Sequence, residues 1–328
     1  MKIEELELLS SKISNINLLK SIVETFDNVP YEVRTRLFEE LKNRDYNKYA
    51  CSIAIDDNVL NSRTIEEQIK LMEELKKCYY NEKVCYIATD SDVLENRTIE
   101  EQIKLMEELK NCDYNWYAYK IAENRDVLEN RVIEEQKRLI ETLKSYDYNE
   151  NAYAIAIDGN VLDSRIIEEQ IKLMEELKNC DYDVNACYIA TNSNVLKNRK
   201  IEEQIKLMEK LKKCYYNWHV YKIAINSDVL KNRTIEEQIR LIKTLKSYDY
   251  NENAYKIAIN SDVLKNRTIE EQLNFIKKGK VSHNDNLQKI QNIKEYKKYL
   301  KNLKEELGKD ADVRLDTMVL KFNPNKKL

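Results

Sequence analysis

The tetrapeptide Ile-Glu-Glu-Gln recurs at a constant interval of 34 residues, and this regularity restricts the fold more than any other feature of the sequence. Its copies begin at Ile65, Ile99, Ile133, Ile167, Ile201, Ile235 and Ile269. A unit this short cannot bury its own apolar face, so it has to stack on its neighbours. The sequence therefore predicts an all-α, right-handed α-solenoid of about eight tandem 34-residue helical hairpins, with capping helices at both ends.

The repeat divides the chain into three segments. Residues 1–30 do not match it and predict N-terminal capping helices, residues 31–276 hold the tandem repeats, and residues 277–328 predict a basic C-terminal helix and tail. The predicted units are 31–64, 65–98, 99–132, 133–166, 167–200, 201–234 and 235–268, followed by a final helix at 269–276.

Each unit is predicted to hold a longer helix, a shorter helix and a polar loop. In the second unit, Thr64 stands three residues before Glu67, the spacing of a capping box that starts the longer helix. Asn81 is the predicted N-cap of the shorter helix. The run Thr89-Asp90-Ser91-Asp92 predicts the loop that ends it.

Composition restricts the classes of function. Only 3 Gly and 2 Pro occur, which leaves little material for glycine-rich phosphate loops. No apolar run approaches the roughly 18 residues of a membrane span, and the acidic N-terminus does not resemble a signal peptide. We therefore expect a cytoplasmic protein without a membrane segment.

The seven Cys predict buried, reduced thiols rather than ligands or bridges. One repeat position holds Cys78, Cys112, Cys180 and Cys214 in four units, and Tyr146 and Tyr248 in two others. Tyr cannot replace a thiolate ligand or a disulfide partner, so a position that accepts either residue serves packing.

Catalytic residues are scarce. His219 and His283 are the only His, and neither has a Cys, Ser or second His at the spacing of a dyad. The paired Glu of every repeat are explained by capping and by the helix dipole, with ion pairs expected to the seven matching Arg from Arg63 to Arg267. We expect no enzymatic activity, no cofactor and no metal.

Positions just after the helix-starting Asn vary between units, and these are the candidate partner-binding positions. They include Trp116, Tyr117, Trp218 and His219, while a second variable position holds Lys120, Lys222 and Lys256. Variable residues on a regular scaffold indicate a recognition surface on the shorter helices. Drift on an unused exposed face is the alternative.

Charge is unevenly distributed along the array. Residues 65–166 carry 14 Lys/Arg and 23 Asp/Glu, whereas residues 167–268 carry 18 and 15. One aligned position holds acids in the first block and bases in the second, namely Glu95, Glu129 and Asp163, then Lys197, Lys231 and Lys265. The basic half is predicted to engage an anionic partner. Head-to-tail self-association and neutral drift remain alternatives.

The period of paired helices over residues 31–276 resembles the tetratricopeptide family, although that family's Trp, Leu-Gly and closing Pro are missing. Residues 255–260 resemble the first helix and turn of TAL-effector-like DNA-binding repeats. That resemblance implies base-reading residues at Ser91, Arg125, Gly159, Ser193, Ser227 and Ser261. The Gly pair of those repeats is replaced by Asp262-Val263, and a carboxylate there would repel phosphate.

Together these observations predict a non-enzymatic scaffold that binds a protein or peptide partner. A nucleic-acid-binding array that uses the basic C-terminal half is the alternative function.

Overall fold

A computed structural model describes residues 3–278, which contain helices and turns but no strand. The chain divides into two compact units, Met1–Ile239 and Arg240–Leu328, and the second is described as far as residue 278. The predicted basic C-terminal tail and His283 lie outside the described residues.

The helices follow a repeating order of one long and two short helices. They are α1 (Ile3–Lys12), α2 (Ile16–Asn28), α3 (Tyr31–Asn43), α4 (Lys48–Ile55), α5 (Asp57–Ser62), α6 (Ile65–Lys77), α7 (Glu82–Thr89), α8 (Ser91–Asn96), α9 (Ile99–Asn111), α10 (Trp116–Glu123), α11 (Arg125–Asn130), α12 (Ile133–Lys144), α13 (Glu150–Ile157), α14 (Gly159–Ser164), α15 (Ile167–Asn179), α16 (Val184–Thr191), α17 (Ser193–Asn198), α18 (Ile201–Lys212), α19 (Trp218–Ile225), α20 (Ser227–Asn232), α21 (Ile235–Ser247), α22 (Glu252–Ala258) and α23 (Ser261–Asn266). Residues 269–278 are also helical.

The predicted hairpin is wrong in one respect, because each repeat contains three helices rather than two. Asp90 ends α7 and is also the N-cap of α8, where its carboxylate accepts a hydrogen bond from the Val93 amide at 2.9 Å. A helix of six residues is too short to show a helical period in the sequence. The predicted polar loop is therefore the start of a third helix.

The predicted cap is present in α6 and recurs in α9, whereas α12, α15 and α18 have N-cap residues that make no side-chain cap hydrogen bond. Thr64 Oγ1 accepts a hydrogen bond from the Glu67 amide at 3.3 Å, and Glu67 Oε2 accepts one from the Thr64 amide at 2.8 Å, so the capping box is confirmed. Asn81 is the N-cap of α7, as predicted. Leu109 of α9 is fully buried.

Neighbouring repeats of the unit Met1–Ile239 pack through equivalent elements. Long helix α6 contacts α9, the middle helix α7 contacts α10, and the six-residue helix α8 contacts α11. This packing of each element on its own copy is that of a helical solenoid.

Each long helix ends in two consecutive residues with left-handed backbone angles, although neither is Gly. The pairs are Asp45-Tyr46, Tyr79-Tyr80, Asp113-Tyr114, Asp147-Tyr148, Asp181-Tyr182, Tyr215-Tyr216 and Asp249-Tyr250. The Tyr114 amide closes the turn on the Leu109 carbonyl at 2.8 Å, a C-terminal capping bond. A left-handed residue with a side chain costs about 1–2 kcal/mol. The Tyr114 hydroxyl offsets part of this cost by donating to the Cys78 carbonyl of the preceding repeat at 2.9 Å.

The five repeat Arg from Arg63 to Arg199 each bind uncharged oxygen atoms in the two repeats that follow, whereas Arg165 also lies 4.0 Å from Glu169 and Arg267 forms the expected ion pair with Glu271 at 3.5 Å. Arg97 is buried, and its Nη2 donates to the Arg131 carbonyl at 2.7 Å and to Gln136 Oε1 at 3.1 Å. Its Nη1 donates to the Leu128 carbonyl at 3.0 Å. The expected Arg–Glu ion pairs are therefore wrong for Arg97 and Arg131, because carbonyl and amide oxygens occupy both guanidinium groups.

The Gln of the five Ile-Glu-Glu-Gln copies from Gln102 to Gln238 completes this contact. Gln136 is fully buried, and its Nε2 donates to the Ile121 and Ala122 carbonyls at 3.0 and 3.1 Å, near the end of α10. Its Oε1 accepts from Arg97. We call this recurring set of contacts the Arg–Gln ladder. Burial lowers the pKa of Arg97 from its ordinary value, but a guanidinium remains protonated in proteins.

The two Glu of a copy have different roles. In five copies the first Glu forms an ion pair with a Lys or Arg of the preceding long helix, as in Lys104–Glu134 and Arg138–Glu168, both at 2.8 Å. The second Glu closes the capping box in α6 and α9. The cross-repeat ion pairs are exposed, so each contributes little stability.

We expect Arg131→Met to lower the free energy of unfolding by about 2–4 kcal/mol, because Met fills the space but leaves buried acceptors unpaired. Arg138→Met is the matched control, since its exposed ion pair with Glu168 is worth about 0–1 kcal/mol. Urea denaturation measures both losses, and hydrogen exchange detects local opening that a long array permits. Equal losses for the two variants would contradict the ladder's role.

All seven Cys are buried, as predicted, and none is bonded to another Cys. Burial raises the pKa of Cys51, Cys85 and Cys180 to about 12. At pH 8 we expect iodoacetamide to label the native protein at least roughly 100-fold more slowly than the urea-unfolded protein, because the thiolate is the reactive form. Intact-mass spectrometry over time measures this. Fast labelling of the stripe Cys78, Cys112, Cys180 and Cys214 would contradict the packing.

Candidate functional site

The exposed surface of the middle helices carries most of the predicted binding residues. The first residues of α7, α10, α13, α16 and α19 are Glu82, Trp116, Glu150, Val184 and Trp218, and all five are exposed. Each follows a capping residue, which fixes its direction at the start of the helix. In α10, for example, Asn115 Oδ1 accepts a hydrogen bond from the Tyr117 amide at 2.8 Å.

Trp116 belongs to a group that we call the first aromatic cluster, formed by Tyr86, Trp116, Tyr119 and Lys120. The Trp116 and Tyr119 ring centroids lie 5.7 Å apart, and Tyr86 of the preceding repeat lies 6.4 Å from Tyr119. Lys120 Nζ lies 4.7 Å from the Trp116 ring centroid and 5.4 Å from that of Tyr119. Trp116 is nevertheless 53% exposed, so this cation–π packing holds an accessible indole in place.

The same arrangement recurs 102 residues later in the second aromatic cluster, formed by Tyr188, Trp218, Tyr221 and Lys222. Lys222 Nζ lies 4.2 Å from the Trp218 ring centroid, and the Trp218 and Tyr221 centroids are 5.3 Å apart. Tyr188 lies 6.2 Å from Tyr221. Trp218 is 55% exposed.

The two clusters differ in charge. In the first, Glu123 forms an ion pair with Lys120, and burial raises the pKa of Tyr119, with a further contribution from Glu123. The position equivalent to Glu123 in the second cluster is Ile225, which brings no carboxylate to Lys222. The first indole also has a second cation beside it, since Lys83 Nζ lies 6.0 Å from the Trp116 ring centroid and the equivalent residue in the second cluster is Asn185. The clusters therefore differ in that Lys120 is paired with a carboxylate and Lys222 has no carboxylate at the equivalent position.

The remaining predicted residues are placed differently. Tyr117 is half-buried, with its ring centroid 4.9 Å from that of Tyr153 in the next repeat, a packing contact. His219 is half-buried in α19. Lys256 of α22 is exposed and forms an ion pair with Glu252 at 3.5 Å.

Sequence reasoning missed Tyr119 and Tyr221 as members of these clusters. Their repeat position also accepts Cys51, Cys85 and Cys187, which marked it as core. Both Tyr are indeed largely buried, yet each supports an exposed Trp three residues earlier. That spacing of three residues places two side chains on one helix face, and it is the signal that could have identified them.

The predicted row of lysines lies on the six-residue helices. Lys197 in α17 and Lys231 in α20 are exposed, and in the second unit Lys265 in α23 is exposed as well. A shallow depression beside Lys197 is also lined by Arg165, Glu169, Lys200 and Glu203. Its mixed charge does not select an anion by itself.

The positions that the TAL-effector-like resemblance assigns to base reading each begin a six-residue helix. They are Ser91 of α8, Arg125 of α11, Gly159 of α14, Ser193 of α17, Ser227 of α20 and Ser261 of α23. Arg125 forms an ion pair with Glu129 at 2.7 Å. Arg125 is the one basic residue among these six positions, and this ion pair holds its side chain against its own helix.

Between residues 3 and 278, no group of three or more His, Cys, Asp or Glu side chains is placed to hold a metal ion. Within the same range no helix combines the length and apolar character that crossing a bilayer requires. No protein-family model matches the chain, and no curated protein matches it at a significant level of similarity.

Proposed function

We propose that this chain is a non-enzymatic repeat scaffold, a right-handed solenoid of about eight units, that binds a protein or peptide partner along its middle helices. The observation that carries the proposal is the pair of lysine-packed, exposed Trp side chains at equivalent positions of α10 and α19. A cytoplasmic location is part of the proposal and rests on the sequence alone.

Exposed Trp and Tyr supply large contact areas at low cost in side-chain entropy, and such residues dominate the energetics of many interfaces. The Lys stacked on each indole restricts the ring before a partner arrives, which lowers the entropic cost of binding. Two such clusters on one array allow a single extended partner to contact both. The overall affinity then exceeds the affinity of either contact alone.

The charge of the surrounding repeats indicates which part of a partner binds each aromatic cluster. The repeats around the first cluster are rich in Asp and Glu, whereas those around the second have more Lys and Arg. Because Lys222 has no equivalent of Glu123 beside it, we propose that an acidic residue near an apolar or aromatic one binds the second cluster.

The aromatic clusters can be tested with peptides selected from a random displayed library on the intact protein. We expect Trp116→Ala and Trp218→Ala each to weaken binding of the selected peptides by at least tenfold, because a central aromatic anchor is worth about 2 kcal/mol or more. Fluorescence anisotropy measures the affinity, and circular dichroism checks the fold.

Tyr215→Ala is the matched control, since Tyr215 is 86% exposed and lies outside both clusters. It should leave peptide affinity unchanged. If the two Trp variants bind as tightly as the parent protein, the clusters are not the binding surface.

The second candidate function is nucleic-acid binding through the basic half, which the exposed Lys197 and Lys231 on successive six-residue helices favour. The charge-reversed triple variant Lys197→Glu, Lys231→Glu and Lys265→Glu tests it. Phosphate contacts predict a steep salt dependence of binding to mixed-sequence DNA and RNA, and its loss in the variant. Protein binding predicts a smaller, partner-specific change in affinity.

The matched control for this reversal places Lys at the equivalent positions of the acidic block, as Glu95→Lys, Glu129→Lys and Asp163→Lys. Sedimentation of both variants tests head-to-tail self-association, which opposite charges along one array would promote at low salt. If neither reversal changes peptide binding, nucleic-acid binding or sedimentation, the lysine row is only a solvated face.

A further inference from the structure

The Arg–Gln ladder is interrupted at its N-terminal end, because the repeat position of Arg63 is held 34 residues earlier by Val29. The helix before Val29 nevertheless ends in the same way. Val29 is the extended C-cap of α2, and its amide donates to the Thr25 carbonyl at 3.1 Å, just as the Arg63 amide donates to the Val59 carbonyl at 2.9 Å. Val29 brings no guanidinium to this position.

Gln68 is the Gln whose Oε1 would accept hydrogen bonds from an Arg at position 29, and it is only 2% exposed. Its Oε1 has no hydrogen-bond partner among the described residues. Its Nε2 donates to the Arg63 carbonyl at 3.2 Å, whereas the equivalent Gln102 donates to the Ile87 carbonyl at 2.9 Å. Gln68 has therefore turned to the acceptor that an Arg occupies in later repeats.

A pocket at this end of the array is lined by the residues whose equivalents bind Arg elsewhere. From Arg97 to Arg199, each ladder guanidinium contacts a Leu carbonyl, an Arg carbonyl and a Gln Oε1, as Arg97 does with Leu128, Arg131 and Gln136. The matching residues here are Leu60, Arg63 and Gln68, and all three line the pocket. We call it the N-terminal acceptor pocket.

Two carboxylate residues, Glu24 and Asp57, line the same pocket. Uncharged carbonyl and amide acceptors already hold a guanidinium in the ladder, and carboxylates add attraction for a cation. A lysine ammonium has fewer donors and no planar fork, so it fits this set of acceptors less well.

We propose that the N-terminal acceptor pocket binds a guanidinium group, supplied by an arginine side chain of a partner polypeptide. The incoming group takes the place of the missing Arg at position 29, donating to Gln68 Oε1 and to the Arg63 carbonyl. Gln68 Nε2 then turns to the carbonyls at the end of α4, as its equivalents do in later repeats. This site is separate from the aromatic clusters and does not depend on the proposed function.

Titration of the full chain, labelled with ¹⁵N at its Gln side chains, tests the proposal by nuclear magnetic resonance. The probes are the blocked tripeptides Gly-Arg-Gly and Gly-Lys-Gly, together with free L-arginine. We expect the Arg peptide to shift the Gln68 side-chain amide signals, assigned with Gln68→Leu, and to bind at least tenfold more tightly than the Lys peptide. A tighter response to the peptide than to free arginine identifies a polypeptide as the source, and the reverse order identifies a free guanidino compound.

A second variant fills the pocket from within the chain. Val29→Arg should raise Tm by roughly 2 °C or more relative to Val29→Met, which adds volume without a guanidinium, and should abolish the response to the Arg peptide. If the Arg and Lys peptides leave the Gln68 signals of the parent protein unchanged, the pocket holds water only and the proposal is overturned. The same conclusion follows if the Arg and Met variants are equally stable and both still bind the peptide.

Discussion

The buried contact between the Arg of one repeat and the Gln of a later repeat is the interaction on which the array depends. An uncompensated guanidinium is costly to bury, and here carbonyl and amide oxygens solvate it in place of water. The acceptors lie 31, 34 and 39 residues after the Arg. An insertion anywhere in that span would shift at least one acceptor, which explains the constant interval of the repeat.

The ladder also explains a backbone that uses almost no Gly. The acceptors of each Arg are carbonyls at the ends of six-residue helices, so those helices must end at fixed places, and one Asx residue sets each start. The left-handed turn after each long helix serves the same purpose. Tyr216, for example, has left-handed backbone angles at this turn. Its hydroxyl donates a hydrogen bond to the Cys180 carbonyl of the preceding repeat at 2.7 Å.

Features that depend on local chemistry could be predicted from the sequence. Contacts that a side chain makes with another repeat could not. The Thr64 capping box, the Asn81 cap and the burial of the Cys stripe follow from spacing and from the exchange of Cys with Tyr. The third helix was missed because six residues carry no helical period. Arg97 was expected to pair with Glu because a sequence shows charge but not distance. For the aromatic clusters, alignment of the repeats identified both Trp but not the Tyr that supports each one.

A ladder that connects successive repeats of the unit Met1–Ile239 also restricts where such a chain can vary. Residues of the ladder recur in successive units, so residues that differ between units lie elsewhere, among them the exposed first residues of the middle helices. The middle helices provide Trp116 and Trp218, each held by a Lys. The N-terminal end provides Gln68, whose acceptor lacks the Arg of a preceding repeat. Because equivalent acceptors bind the guanidinium groups of Arg97, Arg131, Arg165 and Arg199 within the chain, the arrangement favours a guanidinium over an ammonium as the group bound in the proposed terminal pocket.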